Sequence, residues 1–360
     1  MITNLQVHNF RNYEQAGIDL SPGVTVLAGD NTQGKTNLVE ALYLLSTTKS
    51  FRTSDENLIR WDNSFFRVIA QLQNKEDKSD IEATFTTENR QAKRFKINGS
   101  QITLKDAVGR VPAVLFNPQD IDLIISSPSG RRRYLDIVLS QVSKKYLITL
   151  IDYKRALKHR NKLLWDIKQN RASVEELEFW NVSLVKSGSY ILEARKSLTA
   201  KINTMIGEYY YEVTGEKENL YLDYVSTIQA GGDLNKSYES ALFLNQGLDI
   251  LSTNTSVGPH RDDFIFTAKG RRLNQYASRG EMRTVVIALK MAEAKYLAES
   301  SEARPALLLD DVFSELDGSR KSTLLNLVKQ YQTIITTTEK DLVTSKQALI
   351  YTIKSGKINV

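Results

Sequence analysis

The sequence predicts an α/β fold in which both ends of the chain form one domain and a helical segment is inserted between them. Strand and turn patterns fill the first 125 residues and return after residue 260, whereas residues 131–207 have helical periodicity. A strand, a glycine-rich loop and a helix follow one another near the amino terminus. We therefore expect residues 1–125 and 255–360 to form the α/β domain and residues 126–254 to form the insertion.

The strands are predicted from short runs rich in β-branched and aromatic residues. The amino-terminal runs are residues 2–10, 24–28, 65–72, 81–85 and 95–97, and the carboxyl-terminal runs are residues 264–266, 306–309, 333–336 and 350–353. Asn98-Gly99 follows one of these runs and is a strong signal for a two-residue hairpin turn.

Two long helices are predicted within the insertion from leucines spaced seven residues apart. The spaced positions are Leu150, Leu157 and Leu164 in one segment and Leu177, Leu184, Ile191 and Leu198 in the next. The polar residues 169–173 separate the segments. Helices of about 20 to 25 residues would make a short antiparallel arm about 35 Å long.

Composition limits the classes of protein that the chain can belong to. The 360 residues are 41% hydrophobic and 25% charged, which is typical of a globular protein of two or three compact units. No run approaches the ~18 apolar residues of a membrane span, and the polar amino terminus does not suit a signal peptide. We expect a soluble, cytoplasmic protein.

The chain has no cysteine and three histidines, which limits the chemistry of any metal site. Disulfides, thiolate catalysis and cysteine-based zinc or iron-sulfur sites are excluded. A bound metal should therefore sit on carboxylate and phosphate oxygens.

The net charge of +6 is concentrated in one segment. Residues 131–201 contain 16 basic and 7 acidic side chains, an excess of nine, so the rest of the chain has a net charge of about −3. A basic surface of this kind attracts nucleic acid without reading its bases. A solvated helical face is the alternative interpretation.

The glycine-rich loop has the spacing of a phosphate-binding loop. Residues 24–36 read VTVLAGDNTQGKT, in which Gly29 and Gly34-Lys35-Thr36 match the pattern G-x-x-x-x-G-K-T between a strand and a helix. In such a P-loop (residues 29–36), backbone N–H groups surround the phosphates, the lysine neutralises charge and the threonine hydroxyl binds Mg²⁺. The candidate ATP-binding residues are Gly29, Asp30, Asn31, Thr32, Gln33, Gly34, Lys35, Thr36 and Asn37.

A second strand supplies the carboxylates that a P-loop site needs. Four apolar residues at 306–309 lead into Asp310 and Asp311. We expect Asp310 to hold Mg²⁺ together with Thr36, and Asp311 to orient or deprotonate the attacking water. Lys35, Asp310 and Asp311 are thus the candidate catalytic residues; two solvated aspartates at a strand end are the alternative.

A third element precedes that strand. Ser278-Arg279-Gly280-Glu281 stands at the start of an apolar-periodic helix, where free N–H groups favour an anion. A simple helix cap is equally compatible with these residues.

Together, the P-loop, the S-x-G-E segment, LLLDD and the following Ser314-Glu315-Leu316-Asp317 resemble the ABC-type ATPases of the SMC and Rad50 group. The sequence is more similar still to the RecF family of bacterial recombination mediators. That family's blocks occur in its order: KSFRTSDENLIR at 49–60, FNPQDIDLI at 116–124, SPSGRRRYLD at 127–136, GPHRDD at 258–263 and ASRGE at 277–281.

The resemblance implies a P-loop ABC-type ATPase head that works as an ATP-dependent homodimer. Residues Ser278, Arg279, Gly280 and Glu281 would then act as a signature in trans, on the nucleotide of the other protomer. Asp317 would be the D-loop aspartate that crosses the interface, and Gln119 would lie at the Q-loop position, although it could simply belong to a turn after Pro118. ATP and Mg²⁺ are the implied cofactors.

Two departures from the broader ABC pattern imply slow hydrolysis. Asp311 stands where a glutamate is usual, and Thr336, Thr337 and Thr338 occupy the region of the switch histidine. A threonine hydroxyl cannot carry the charge of a protonated imidazole, so turnover should be well below ~10 per second.

The function implied by the resemblance is recombination mediation on DNA. The ATP-dependent dimer would bind duplex DNA and single-strand to double-strand junctions without sequence specificity and, with RecO and RecR, promote RecA loading at gaps, with weak DNA-stimulated ATPase activity. An SMC or Rad50-like chromosome tether and a transporter-type ATPase subunit are the alternatives. The arm is short for the first, and the second normally has a full LSGGQ signature.

Several basic residues are candidates for DNA contact. They are Lys49, Arg52, Arg131, Arg132, Arg133, Lys154, Arg155, Lys158 and Arg160. One of the three consecutive arginines could instead pair with a carboxylate, and Lys49 and Arg52 could form a structural turn. We also expect His260 and Arg261 to lie at an interface or near nucleotide rather than to form a hydrogen-bonded turn.

Overall fold

The computed structural model describes residues 1–74, 77–88, 91–229, 232–339 and 348–359. Contacts divide the chain into two compact units. The first unit consists of Met1–Ile121, Glu208–Lys217 and Arg279–Val360, and the second consists of Asp122–Gly207 and Glu218–Ser278.

The elements of the described residues are numbered along the chain. The strands are β1 (Ile2–Phe10), β2 (Tyr13–Asp19), β3 (Val24–Ala28), β4 (Phe65–Asn74), β5 (Asp77–Thr86), β6 (Ala92–Ile97), β7 (Ser100–Ile102), β8 (Ala113–Phe116), β9 (Leu220–Val225), β10 (Asp263–Ala268), β11 (Arg271–Arg272), β12 (Ala306–Asp310), β13 (Thr333–Thr337), β14 (Leu349–Lys354) and β15 (Lys357–Asn359). The helices are α1 (Lys35–Thr47), α2 (Leu104–Ala107), α3 (Asp122–Ile125), α4 (Pro128–Val142), α5 (Lys144–Lys168), α6 (Leu177–Asn203), α7 (Ile206–Thr214), α8 (Leu234–Leu244), α9 (Gln246–Ser252), α10 (Arg279–Ser300) and α11 (Gly318–Val328).

A mostly parallel sheet forms the centre of the first unit. Its strand order is β15-β14-β3-β13-β12-β8, in which β14, β3, β13, β12 and β8 run parallel. Strands β8, β12 and β13 are buried along their whole length, as expected for parallel strands covered on both faces. The carboxyl ends of these strands meet at one edge of the sheet, where ligands bind in open α/β folds.

An antiparallel sheet forms another part of the core of this unit. Its order is β2-β1-β4-β5-β6-β7, and α1 contacts both this sheet and the parallel one. Helix α1 is buried on nearly all sides, including Leu38, Leu42 and Leu45, because it lies between two apolar surfaces. The buried helix therefore fixes the position of the loop that precedes it.

The predicted fold class is confirmed, and the predicted strands lie within observed ones. Asn98 and Gly99 both have positive φ, 49° and 76°, and Ile97 pairs with Ser100, which is the expected two-residue hairpin. Other strands, such as β2, β8 and β9, were not predicted. Strand β8 has only four residues, and a short apolar run carries no periodicity.

The second unit contains the predicted pair of long helices. Helices α5 and α6 contain 25 and 27 residues and pack against each other. Leu164, Leu184 and Ile191 are fully buried, in agreement with the seven-residue spacing. Strands β9, β10 and β11 form a small antiparallel sheet in the same unit.

The division into units differs from the predicted boundaries at residues 122–125, 208–217 and 255–278. Residues 255–278 belong to the second unit because β10 pairs with β9 over its whole length, for example Phe264 with Tyr224. Residues 208–217 belong to the first unit. Pairing between strands that are distant in sequence thus accounts for the placement of residues 255–278.

A buried ion pair lies in the interior of the second unit. The Arg160 guanidinium donates to Asp249 at 2.8 Å, and neither side chain is exposed to solvent. Thr255 and Asn181 accept further hydrogen bonds from Arg160 at 2.7 and 2.8 Å. Asp249 also accepts from the backbone N–H and hydroxyl of Ser256. The pair thus joins α5, α6 and α9 to the segment before β10.

Replacing Asp249 with Ala should lower the free energy of unfolding by about 3 to 5 kcal/mol, because it leaves the Arg160 charge buried without a partner. Asp152→Ala is the control, since Asp152 is exposed on the same helix as Arg160 and its loss should change stability by about 0.5 kcal/mol or less. Urea unfolding followed by circular dichroism gives both values. A loss below about 1 kcal/mol for Asp249→Ala would show that the pair contributes little.

Candidate functional site

The P-loop follows β3 and leads directly into α1. Gly29 has φ 154° and Gly34 has φ 113°, conformations that favour glycine. A Cβ atom on Gly29 would lie 2.3 Å from the backbone oxygen of Ile353, and one on Gly34 would lie 2.6 Å from the Asn12 side chain. Both glycines are therefore required by the close packing of the loop as well as by its backbone conformation.

Lys35 places its ammonium group inside this loop. Its Nζ donates to the backbone oxygens of Gly29 and Asp30 at 2.5 and 2.7 Å, and the side chain is buried. Burial lowers the pKa of Lys35, while the negative charges of Asp311, Asp310 and Asp30 oppose this effect. The cation is thus held where the loop backbone turns, the position that neutralises phosphate charge in a P-loop.

Thr36 and Asp310 are separated by 274 residues in the sequence and are in direct contact. The Thr36 hydroxyl donates to Asp310 Oδ1 at 2.7 Å, and the Thr336 hydroxyl donates to the same oxygen at 2.9 Å. The neighbouring strands β3, β13 and β12 bring these side chains to the same edge of the sheet. Burial raises the pKa of Asp310, although the two hydroxyl hydrogen bonds lower it in part.

Asp311 has a backbone conformation that is unusual for a residue other than glycine. Its φ is 52°, and its N–H donates to the Thr336 hydroxyl at 2.9 Å. Strain of this kind is concentrated at functional sites. Thr336 therefore contacts both aspartates. The sequence does not reveal this role, because it shows only that threonines occupy the region of the switch histidine.

Residues from the turn between β1 and β2 hold the P-loop in place. Asn12 donates to the backbone oxygen of Gln33 at 3.1 Å and accepts from Asn37 at 2.7 Å. The Tyr13 hydroxyl donates to the backbone oxygen of Gly34 at 3.1 Å. Sequence reasoning missed both residues, because their only local signal is the tight two-residue turn in FRNY.

A buried carboxylate organises the other side of α1. Glu40 is fully buried and accepts from Arg11, Arg52 and Ser50 at 2.5 to 2.9 Å. Burial alone would raise the pKa of Glu40, but the hydrogen bonds from Arg11, Arg52 and Ser50 lower it. Arg52 also donates to Asn37 at 2.8 Å, so it braces the P-loop helix. These contacts agree with the alternative interpretation, in which Arg52 has a structural role instead of contacting DNA.

Gln119 lies at the carboxyl end of β8, next to the strand that ends in Asp310. Its side chain is exposed, and the backbone around it forms a short helical turn, in which the Asn117 N–H donates to the Asp120 carboxylate at 2.8 Å. Asp120 is also 3.9 Å from the Lys290 ammonium of α10. The Q-loop assignment of Gln119 therefore stays a prediction.

The signature and D-loop residues lie on the surface of their units. Ser278 is the last residue of the second unit, whereas Arg279, Gly280 and Glu281 begin α10 in the first; Ser278, Arg279 and Glu281 are exposed. Asp317 caps α11 by accepting from the Arg320 N–H at 2.9 Å and is half-exposed. Their action on a second protomer stays a prediction.

Two of the candidate DNA-contact residues are corrected by the structure. Arg131 donates to both oxygens of Asp263 at 2.7 and 2.8 Å and is buried, and Arg160 is fully buried against Asp249. Counting charges along the sequence cannot distinguish an exposed arginine from one that is buried in an internal ion pair. Arg131 thus takes the bracing role that was the alternative interpretation.

The other basic candidates are at least partly accessible. Arg132 is partly buried and donates to the backbone oxygen of Asp262 at 2.8 Å. The exposed candidates are Lys49, Arg52, Arg133, Lys154, Arg155 and Lys158. Three of these lie on α5, which supports a basic helical face.

His260 is partly buried, and both nitrogens of its ring make hydrogen bonds. Its Nδ1 is 2.6 Å from the Tyr153 hydroxyl, and its Nε2 is 2.9 Å from the backbone oxygen of Thr255. Burial lowers the pKa of His260 to about 4. The neutral ring therefore donates from Nε2 to Thr255 and accepts from Tyr153. His260 thus makes the hydrogen bonds of the alternative interpretation, a turn histidine, and its place at an interface or near nucleotide stays a prediction; Arg261 is exposed.

The residues at the end of β12 suit a magnesium ion. Thr36 and Asp310 present oxygen atoms 2.7 Å apart, and oxygen is the ligand that Mg²⁺ prefers. The raised pKa of Asp310 is consistent with a carboxylate whose charge a cation would stabilise. Within the described ranges, no group of three or more His, Asp or Glu residues could hold a metal by itself. Phosphate oxygens and water would thus complete the coordination.

Within the part of the chain that the structure describes, no helix is both long and apolar enough to cross a bilayer.

Sequence comparison identifies relatives that cover nearly the whole chain. The family model described as the RecF/RecN/SMC N terminal domain matches residues 1–359. The DNA replication and repair protein RecF of Natranaerobius thermophilus is 36% identical over 353 residues, covering 94% of this chain and 92% of that protein. The RecF protein of Oenococcus oeni is 36% identical over 377 residues, covering 99% of each.

Solved structures show the same relationship. A structure of the recombination mediator protein RecF-ATP in the RecFOR pathway has a TM-score of 0.92 and 31% identity, and covers 99% of this chain and 96% of that one. The Smc head bound to the C-winged helix domain of ScpA has a TM-score of 0.56 at 15% identity, covering 99% of this chain and 97% of that one, and therefore shares the fold alone.

Replacing Lys35 with Met should weaken the binding of ATP by about 10- to 100-fold, because the P-loop loses its charge-assisted hydrogen bonds to phosphate. Titration with a fluorescent ATP analogue measures the change. Lys105→Met is the matched control, since Lys105 is exposed in the same unit, and its affinity should equal that of the parent. Affinity of Lys35→Met within twofold of the parent would contradict the assignment of the loop.

Proposed function

The chain belongs to the RecF family, and we propose that it is an ATP-dependent, DNA-binding recombination mediator of the cytoplasm. Its relatives named RecF match it over nearly its whole length, which confirms the family resemblance. The proposal for its chemistry rests on one observation, the hydrogen bond between Thr36 and Asp310. This contact joins the P-loop to the carboxylate strand in the arrangement that a Mg²⁺-nucleotide requires.

ATP binding drives dimerisation in this proposal. The signature of one protomer, Ser278 to Glu281, closes over the γ-phosphate held by the P-loop of the other, and Asp317 crosses the interface. The exposure of Ser278, Arg279 and Glu281 supports such a contact. A ligand that binds the dimer better than the monomer shifts the equilibrium towards the dimer.

Hydrolysis separates the protomers again. Asp311 orients the attacking water and accepts its proton as the bond between the γ-phosphorus and the leaving oxygen of ADP breaks. Lys35 neutralises phosphate charge, and Thr36 and Asp310 hold Mg²⁺. When bound, Mg²⁺ stabilises negative charge on the phosphate oxygens. The shorter side chain of Asp311 and the uncharged Thr336 make turnover slow, and duplex DNA stimulates it.

DNA binds to the basic surface without base recognition. The exposed Lys154, Arg155 and Lys158 of α5 support this part of the proposal. The preferred DNA is a duplex or a single-strand to double-strand junction, where the dimer cooperates with RecO and RecR to promote RecA loading at gaps. Helices of 25 and 27 residues are too short for a chromosome tether of the Rad50 kind.

Comparing duplex-DNA affinity with ATP, ADP and no nucleotide tests this function. We expect the highest affinity with ATP, because the dimer offers two basic surfaces to one duplex. Equal affinity in all three conditions would contradict an ATP-dependent mediator.

Replacing Asp311 with Asn should preserve nucleotide binding and dimerisation but slow hydrolysis by about 100-fold or more, the usual contribution of a general base. Release of phosphate at saturating ATP gives the rate. Asp62→Asn is the matched control, because Asp62 also has a positive φ, 62°, and is exposed. Hydrolysis by Asp311→Asn at the parental rate would exclude Asp311 from the chemical step.

Neutralising Lys154, Arg155 and Lys158 to Gln should weaken DNA binding and reduce the slope of log affinity against log salt by about 2 to 3 units, since each phosphate contact contributes about 0.9. Fluorescence anisotropy with a short duplex at several salt concentrations measures the slope.

The control for this variant replaces three exposed lysines of the first unit. They are Lys105, Lys329 and Lys354. The slope of the control should equal that of the parent. Equal slopes for the parent and the α5 variant would place the DNA on another surface.

A further inference from the structure

Two arginines in the second unit are anchored by backbone oxygens rather than by carboxylates. Arg132 of α4 donates through Nη1 to the backbone oxygen of Asp262 at 2.8 Å. Arg261 donates through Nε to the backbone oxygen of Thr255 at 3.0 Å. Among the residues that the structure describes, neither guanidinium lies within 4 Å of a carboxylate oxygen. Their other N–H groups are therefore available to a ligand.

The carboxylates around these arginines are engaged by other cations. Asp263 accepts from Arg131 at 2.7 and 2.8 Å through both of its oxygens. Asp136 accepts from the buried Arg195 at 2.7 Å and lies 3.5 Å from the Lys154 ammonium. Neither carboxylate is left to pair with Arg132 or Arg261.

Asp262 is engaged by neutral donors. Its buried carboxylate accepts from the Tyr224 hydroxyl at 2.9 Å and from both the N–H and the hydroxyl of Thr227 at 2.7 and 2.9 Å. Its negative charge offsets part of the repulsion between the nearby arginines, but its oxygens accept hydrogen bonds from these neutral donors. This cluster contains four guanidinium groups, the Lys154 ammonium and three carboxylates, and it therefore retains positive charge. The arginines are Arg131, Arg132, Arg195 and Arg261, and the carboxylates are those of Asp136, Asp262 and Asp263.

The positive charges act on one another. Burial lowers the pKa of Arg132, and the nearby charges of Arg195 and Arg261 lower it further, against the opposing effect of Asp263 and Asp262. Like charges held together in this way are costly unless an anion binds between them. A phosphate group matches the planar donor arrangement of guanidinium.

A rigid turn presents Arg261. Gly258 has φ 122°, and a Cβ atom there would lie 2.0 Å from the Tyr238 hydroxyl. The Gly258 oxygen accepts from the Arg261 N–H at 2.8 Å, and the Gly258 N–H donates to the Thr227 hydroxyl at 2.8 Å. The backbone of Arg261 is thus fixed, while its side chain is exposed. Such preorganisation lowers the entropic cost of binding.

We propose that Arg132 and Arg261 form a phosphate-binding pair on the second unit. The inference rests on the proposed function, which offers two sources of the phosphate: the backbone of DNA, or the triphosphate held by a second copy of the chain. The pair explains the GPHRDD segment, in which Gly258 fixes the turn, Asp262 anchors it and Arg261 contacts the ligand.

The variants Arg261→Gln and Arg132→Gln/Arg261→Gln test the pair, with Arg271→Gln as the matched control on an exposed strand of the same unit. One arm measures duplex-DNA affinity against salt in the presence of a nonhydrolysable ATP analogue. If DNA supplies the phosphate, the salt slope should fall by about one for Arg261→Gln and by about two for the double variant, for each protomer that contacts the duplex.

The second arm measures dimerisation with the same analogue in the absence of DNA, by sedimentation. If the nucleotide of a second copy supplies the phosphate, dimer formation by Arg261→Gln should require about 100-fold more protein, because a symmetric dimer loses two charge-assisted hydrogen bonds, each worth about tenfold. The proposal is overturned if Arg261→Gln matches Arg271→Gln in both arms. This decision uses the exposed Arg261 alone, because Arg132 is partly buried and its loss could affect folding.

A third measurement separates this proposal from the proposed function. Phenylglyoxal modification of Arg261 in the full chain is followed by peptide mass spectrometry, with tripolyphosphate as the probe. Protection of Arg261 but not of Arg271 would support the pair even if the parent failed to dimerise or to bind DNA. Equal modification of Arg261 with and without tripolyphosphate would overturn it.

Discussion

The hydrogen bond between the Thr36 hydroxyl and Asp310 is the contact on which the nucleotide site depends. It joins residues from the two ends of the chain, and it forms only because β3, β13 and β12 are parallel neighbours. The burial of these strands and of α1 fixes the P-loop and the carboxylate strand in one rigid core. The inserted second unit can therefore interrupt the chain without separating the halves of the site.

The electrostatics of the site follow from the same arrangement. Burial lowers the pKa of Lys35 and raises that of Asp310, so each group is less stable in its charged form than it would be in water. The phosphates of a nucleotide would stabilise the charge of Lys35, and a cation would stabilise that of Asp310. Hydrophobic packing stabilises neither charge. The strained backbone of Asp311 is held by Thr336, the residue that also contacts Asp310. The buried charges and the strained backbone thus lower the stability of the fold at the site where a charged ligand is expected to bind.

The sequence was sufficient to predict features encoded by local patterns. Each of three patterns predicts its own element without reference to the rest of the chain. They are the P-loop spacing, the apolar run before Asp310 and the leucines spaced seven residues apart. Features that depend on distant partners could not be predicted: Asn12 holding the P-loop, Thr336 bridging two aspartates, and residues 255–278 joining the second unit through β9. The partners of Arg160 and His260 could not be predicted either, because a residue type does not reveal whether the folded chain places a hydrogen-bonding partner beside it.

Nucleotide-dependent association is the central claim, and the mass of the protein in solution tests it most directly. Multi-angle light scattering of the full chain with Mg²⁺, with and without a nonhydrolysable ATP analogue, should give about twice the 40.8 kDa mass of the chain only when the analogue is present. The same mass in both samples would contradict the account, because the signature residues would then have no second nucleotide to contact.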